Sequence, residues 1–191
     1  WPHLKHVCDL PLTAPDMKKV AAESDIVFFA LPHNETQRVI PNIINTTKII
    51  DLSADFRLQN PIMYAKYYGH EHSYVEGVSQ FVYGLPEMNK KKIVFAKNIA
   101  NPGCFAIISE LALLPLKDFI QHASLFAITG SSGSGKIPKD ETHHAIRNHN
   151  VASYKIGVHQ HIPEIIETLN LSESQITFIP TSGPFTRGIH L

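Results

Sequence analysis

The chain is poor in cysteine, in surplus charge and in long apolar runs, and each shortage excludes something. Two cysteines, Cys8 and Cys104, among 191 residues make no disulfide framework, so a reducing, cytoplasmic setting is the simpler expectation. Lys plus Arg and Asp plus Glu both number 17; no net field draws in nucleic acid or an anionic membrane. No apolar run reaches membrane-spanning length and nothing reads as a signal peptide. Internal repeats and low-complexity tracts are lacking too. What remains is ordinary globular composition, 43% hydrophobic and 18% charged, enough for one large domain or two small ones with a real core.

Continuous β-prone runs at 25–31, 47–52 and 92–96 read as strands buried on both faces of a parallel sheet. Helices are expected over 15–24 and over 34–44, the second with Asn34 as N-cap and Pro41 weakening its middle. This alternation predicts an α/β sheet. Residues 59–88 read instead as an aromatic, loop-like segment. Strands at 124–129 and 175–179 and a helix over 162–169 complete the pattern. The sheet pattern yields to a helix at Cys104, which sets an expected boundary between domains 1–103 and 104–191.

Asn101-Pro102-Gly103-Cys104 sets a thiol at the start of that helix, after a turn that lets backbone approach a ligand. Unpaired N–H groups and the positive dipole end there favour the nucleophilic thiolate. A buried structural cysteine is the plain alternative. His159-Gln160-His161 puts two imidazoles on one face of an extended segment, with Glu164 three residues on. A thiol with a histidine oriented by a carboxylate is the pattern of an activated nucleophile. Five histidines within nineteen residues, His143 to His161, raise a metal site as competitor. None of their spacings matches a zinc pattern, and solvated histidines such as His143 and His144 need no ligand.

Gly130 to Lys136 fits G-x-x-x-x-G-K after a strand, but Ile137 and Pro138 stand where a Mg²⁺-binding hydroxyl and a helix belong. Bare N–H groups in such a loop can still cradle a phosphate or a nicotinamide ring, and a plain flexible turn is the other reading. Past the second strand, Arg57 can fork onto a carboxylate or phosphate, or serve a structural Asp–Arg pair; spacing leaves both open. Leu31-Pro32-His33-Asn34 lies past the first strand in the same way.

Seven stretches in order carry a resemblance: 30–33, 51–58, 82–87, Asn101-Pro102-Gly103-Cys104, 130–136, His159-Gln160-His161-Ile162-Pro163-Glu164 and Thr186-Arg187-Gly188-Ile189. With these the chain resembles the N-acetyl-γ-glutamyl-phosphate reductases, relatives of aspartate-semialdehyde dehydrogenase. The resemblance implies a Rossmann-type parallel sheet, its N-terminal part missing, joined to an incomplete α+β catalytic domain. It implies NADP(H), a small acyl-phosphate substrate of arginine biosynthesis and a homo-oligomer. Cys104 matches the nucleophile and His161 the general acid/base, with His159 and Glu164 alongside. Pro32, His33, Ser132, Gly133 and Gly135 fall where cofactor is held, and Arg57 and Arg187 where substrate is held. In the family the thiolate displaces phosphate to leave a thioester, which hydride reduces to the semialdehyde.

The chain departs from the family at several points. No Gly-rich pyrophosphate turn is present; Asn34 replaces the usual Gly, and Phe105-Ala106-Ile107 replaces the commoner Tyr-Pro-Thr. Trp1 in place of Met, and an apolar-edged end with no closing element, suggest a piece of a longer protein that binds NADPH poorly and turns over little by itself. Three other functions compete. They are a reductase of carrier-bound aminoadipyl phosphate in lysine biosynthesis, a Cys–His hydrolase or acyl transferase, and a nucleotide-triphosphate-binding module on the Gly130 loop.

Overall fold

The computed structural model describes residues 5–11, 14–135 and 137–191. Trp1 and Lys136 lie outside this range. In the first helix, α1 (Met17–Glu23), the Asp16 carboxylate caps the start by accepting from the N–H groups of Lys18 and Lys19 at 3.1 and 3.3 Å, satisfying donors that a helix start leaves free. Then come β1 (Ile26–Phe29), α2 (Thr36–Val39) and β2 (Lys48–Asp51). They are followed by α3 (Pro61–Tyr68), α4 (Val75–Val78), β3 (Phe81–Tyr83), α5 (Pro86–Phe95) and β4 (Asn98–Ala100). The strands form one all-parallel sheet in the order β1-β2-β4-β3. Its core holds Phe29, Ile40, Ile49, Phe56 and Phe81, each such burial worth about 1.5–3 kcal/mol.

The second half runs α6 (Cys104–Leu113), β5 (Ala123–Thr129), α7 (His144–Arg147), β6 (Ala152–Ser153), α8 (Ile162–Leu169), β7 (Ile176–Ser182) and β8 (Ile189–His190). Its mixed sheet has the order β6-β7-β5-β8, with β5 and β7 parallel and both edge strands antiparallel. Phe105, Ala106, Ile162, Ile165 and Phe178 pack a core of their own. Polar contacts join the halves along α3. Lys66 pairs with Glu173 at 2.6 Å, and the Glu167 carboxylate accepts from the N–H groups of Gln59 and Asn60 at 2.7 and 3.3 Å. Among the described residues no helix is long and apolar enough to cross a membrane.

Three expectations fail locally. The 92–96 run is the end of α5 and not a strand: Pro86 presets the helix start, and Val94 and Phe95 are exposed instead of lying in a sheet. The third strand is the short β4 beyond it. Asn34 does not cap a helix over 34–44. Its φ of 72° is left-handed, whereas an N-cap needs extended backbone; α2 ends at Val39 and a 3₁₀ turn holding Pro41 follows. Asp55 from another loop serves α2, accepting from the N–H groups of Asn34 and Gln37 at 2.8 and 3.1 Å. The left-handed backbone also accounts for glycine as the usual family residue there. Residues 59–88 are not loop-like, since they contain α3, α4, β3 and the start of α5.

Candidate active site

Gly103 forms the N-cap of α6, so Cys104 is the first helical residue. The turn before it is pinned from both halves of the molecule. Asn101 donates its N–H to the Asp51 carbonyl at 2.7 Å, and Arg57 Nε donates to the Asn101 carbonyl at 2.8 Å. From the other side, the Gly103 N–H donates to Glu164 Oε2 at 2.9 Å. Arg57 and Glu164 close the loop with a contact of 3.1 Å between Nη1 and Oε1. Both side chains are almost fully buried, which makes this an internal ion pair and not a surface one.

Arg57 is therefore not placed to hold substrate. Nη2 donates to the Leu52 carbonyl at 2.9 Å, so all three guanidinium nitrogens are engaged within the protein. The sequence left a structural pair open, but its partner is Glu164, not an aspartate. Glu164 likewise does less for His161 than the sequence suggested: Oε1 lies 3.9 Å from His161 Nε2, beyond hydrogen-bond reach.

His161 lies against the turn that carries Cys104. A Cβ on Gly103 would overlap the imidazole, so glycine is required there for the ring to approach. Burial holds the His161 pKa below the ordinary value despite Glu164 nearby, so the ring is neutral at pH 7. His159 is buried more fully, stacked edge-on to Phe105, Phe178 and Tyr154. Its Nδ1 accepts the His161 N–H at 3.1 Å, and burial, then His161 and Lys155, push its pKa down to about 3. His159 is a neutral wall of the site, unsuited to give or take a proton near pH 7.

Cys104, His159 and His161 line one cleft of about 420 Å³, with Tyr68, Arg147 and Tyr154 among its other walls. Cys104 is exposed there. The protein crowding it still pushes the thiol pKa up, and the N–H groups of Phe105 and Cys104, with Arg57, pull it down without cancelling that effect. The helix end does not by itself offset the burial that favours the thiol; the imidazoles of His33, His159 and His161 share the cleft with it.

His33 opens onto the cleft at the carboxyl end of β1, and its Nδ1 accepts the Ala54 N–H at 3.1 Å. Gly133 and Ser134 reach the cleft from the loop after β5, whereas Pro32, Ser132 and Gly135 are exposed outside its lining. The loop's N–H groups are not bare. Those of Ser131, Ser132 and Gly133 donate to the carbonyls of Phe185, Thr186 and Gly130 at 2.7, 3.1 and 3.4 Å. Arg187 is exposed, with its backbone laid across Gly130 and its side chain outside the cleft lining. Among the described residues no three His, Cys, Asp or Glu side chains gather to hold a metal.

Sequence reasoning missed Tyr83 and Glu110. The Tyr83 hydroxyl lies 2.8 Å from Glu110 Oε1 and 3.1 Å from Glu164 Oε2, and one phenolic proton cannot serve two carboxylates. Burial pushes Glu110 up to about 7; protonated, it donates to the phenol, which then donates to Glu164. The signal was available, because Ala106, Glu110 and Leu113 share the buried face of α6 at helical spacing. From its ordinary 4.5 to about 7, the native carboxyl keeps a proton that the unfolded chain has lost. Stability accordingly falls as pH rises through that window, by up to about 3 kcal/mol. Glu110→Gln has no proton to lose. Its stability relative to the parent, read by urea unfolding, is expected to improve between about pH 5 and about pH 7.5; a difference that stays constant refutes the protonated acid. Asp51, pushed up to about 6 by burial, adds a slope common to both proteins.

A parallel sheet is thus joined through the Cys104 turn to a second, mixed sheet, each with its own core. Residues 1–96 match the semialdehyde dehydrogenase NAD binding domain and residues 104–191 the semialdehyde dehydrogenase dimerisation domain. The chain belongs to the semialdehyde dehydrogenase family.

Among its curated relatives is the N-acetyl-γ-glutamyl-phosphate reductase of Dehalococcoides mccartyi, 39% identical over 99% of this chain and 56% of the relative. The enzyme of the same name from Clostridium botulinum is 42% identical over 93% of this chain and 54% of its own. The chain thus spans little more than half the length of these relatives. Aspartate semialdehyde dehydrogenase II from Vibrio cholerae shares the fold, with a TM-score of 0.61 at 16% identity over 88% of this chain and 54% of that one.

Proposed function

We propose that the chain carries the catalytic centre of an NADPH-dependent N-acetyl-γ-glutamyl-phosphate reductase of arginine biosynthesis. The observation that carries this reading is Cys104 at the start of α6 in one cleft with a neutral His161. The names of the relatives supply the substrate. Cys104 attacks the acyl carbon as His161 takes the thiol proton; the bond from that carbon to the phosphate oxygen breaks and inorganic phosphate leaves with the electron pair. The result is a thioester on Cys104. Backbone N–H groups in the first turn of α6 face the developing oxyanion.

His33 and Gly133, both in the lining of this cleft, are the residues that would hold a nicotinamide ring. Bound there, it would supply hydride to the thioester carbon. His161, holding the proton taken from Cys104, returns it to the sulfur as the aldehyde departs. Arg57 and Glu164 keep the turn in place and touch no substrate, and His159 excludes water. Matching a dimerisation domain favours a homo-oligomer for the whole protein.

The test needs no cofactor. Mixed with N-acetyl-γ-glutamyl phosphate, the protein should release phosphate in proportion to its own concentration and gain the acyl mass on the Cys104 peptide. Continuous phosphate release with no adduct points to a hydrolase. Release that persists in Cys104→Ser rules out the covalent route.

A further inference from the structure

Arg147, at the end of α7, is the charged side chain of the cleft lining that is buried, whereas Lys139, Glu141 and Lys155 are exposed. It is 9% exposed. Nε donates to the Gly183 carbonyl at 3.3 Å and Nη1 to Ser134 Oγ at 3.2 Å, while the buried Nη2 has no hydrogen-bond partner among the described residues. No carboxylate among those residues pairs with it either, in contrast to Arg57. A buried guanidinium left unpaired is costly unless an anion completes it.

The surroundings agree in sign. In a chain without net charge, the cleft wall carries Lys139, Arg147 and Lys155 against the single carboxylate Glu141. Lys155 is engaged with Gln160 at 2.9 Å and Lys139 is exposed. Arg147 is left as the buried cation with a donor to spare, and its planar fork suits two oxygens of a carboxylate or a phosphoryl group.

We propose that Arg147 receives an oxyanion of the bound substrate, a carboxylate or the phosphoryl group, in the cleft it shares with Cys104. The proposal rests on the reading of that cleft as an acyl-phosphate site. It names the residue that seats the substrate's charge.

Alkylation of Cys104 by iodoacetate and by neutral iodoacetamide reads the anion site directly. The parent should favour iodoacetate. Arg147→Met should lose that preference, read as the ratio of the two rates, by about tenfold, the weight of one charged hydrogen bond; Arg147→Lys should fall between. Protection of Cys104 by inorganic phosphate identifies a phosphoryl seat, protection by N-acetylglutamate alone a carboxylate seat, and protection by neither overturns the proposal. It is overturned as well if the reagent ratio is the same in Arg147→Met, or if both reagents slow together in Met and Lys variants, which makes Arg147 a strut for Gly183 and Ser134. Should Cys104 react with neither reagent until unfolded, the nucleophile reading fails on its own. The anion site is then judged by whether phosphate raises the melting temperature of the parent and not of Arg147→Met.

Discussion

Replacing Arg57 with alanine is expected to destabilise the protein by about 3–5 kcal/mol, because it strands a buried carboxylate. Glu164 accepts from Arg57, from Tyr83 and from the Gly103 N–H, and is closed to solvent. Burial works against the charge on Arg57, and Glu164 together with Tyr68 and Tyr83 outweighs it, leaving its pKa above the usual arginine value. Without the guanidinium, Glu164 must either hold an unpaired charge or take up a proton. Urea unfolding of Arg57→Ala, Glu164→Gln and the double variant forms the test. The double variant's loss should lie well below the sum of the single losses, since it removes charge from both sides. Additive losses, or an Arg57→Ala cost below about 1 kcal/mol, would show that the pair is not the clamp described.

His161→Ala should slow formation of the Cys104 thioester by about 10²–10⁴-fold, the usual weight of a general base. The sign of the pH dependence follows from the site. The thiol is pushed up and the imidazole held down, so near neutrality both partners are uncharged and the proton moves during attack. The rate should therefore rise with pH through the lowered His161 pKa, below about 6.5, and level off at neutrality. In His161→Ala that limb should vanish and the rate should instead climb with direct ionisation of the thiol, above about pH 8.5. Rapid-quench measurement of phosphate release against pH separates the cases. A limb that survives in the variant assigns the proton transfer to another group. Gly103→Ala, whose new methyl displaces the ring, should mimic His161→Ala without touching the imidazole's chemistry.

The elements legible in the sequence were those with long, unmixed patterns. β1 is a continuous apolar run, β2, β5 and β7 carry β-branched or aromatic residues at their centres, and α8 buries Ile162, Ile165, Ile166 and Leu169 on one side. The 59–88 region was opaque because tyrosines and glycines obscured ordinary helix starts, although Asn60-Pro61 is a sound cap followed by a proline at the first position. The family motifs singled out Cys104 and His161, and both residues line the cleft. The wiring between them was not legible. Arg57 and Glu164 are 107 residues apart, and no local pattern marks two side chains whose only relation is a shared interior. Arg147 was hidden for another reason: it sits in a polar, histidine-rich stretch where one more cation looks like surface.

The turn bearing Cys104 is the seam between two separately packed cores, and it is gripped by a side chain rooted in each. Sliding of one half against the other must therefore part the Arg57–Glu164 contact or drag the sulfur along with it. Rigidity at the reacting atom and alignment of the two halves are consequently one property of this molecule. A substitution far out on either sheet that tilts its core should register first as a misplaced thiol, before any loss of folded protein is detectable.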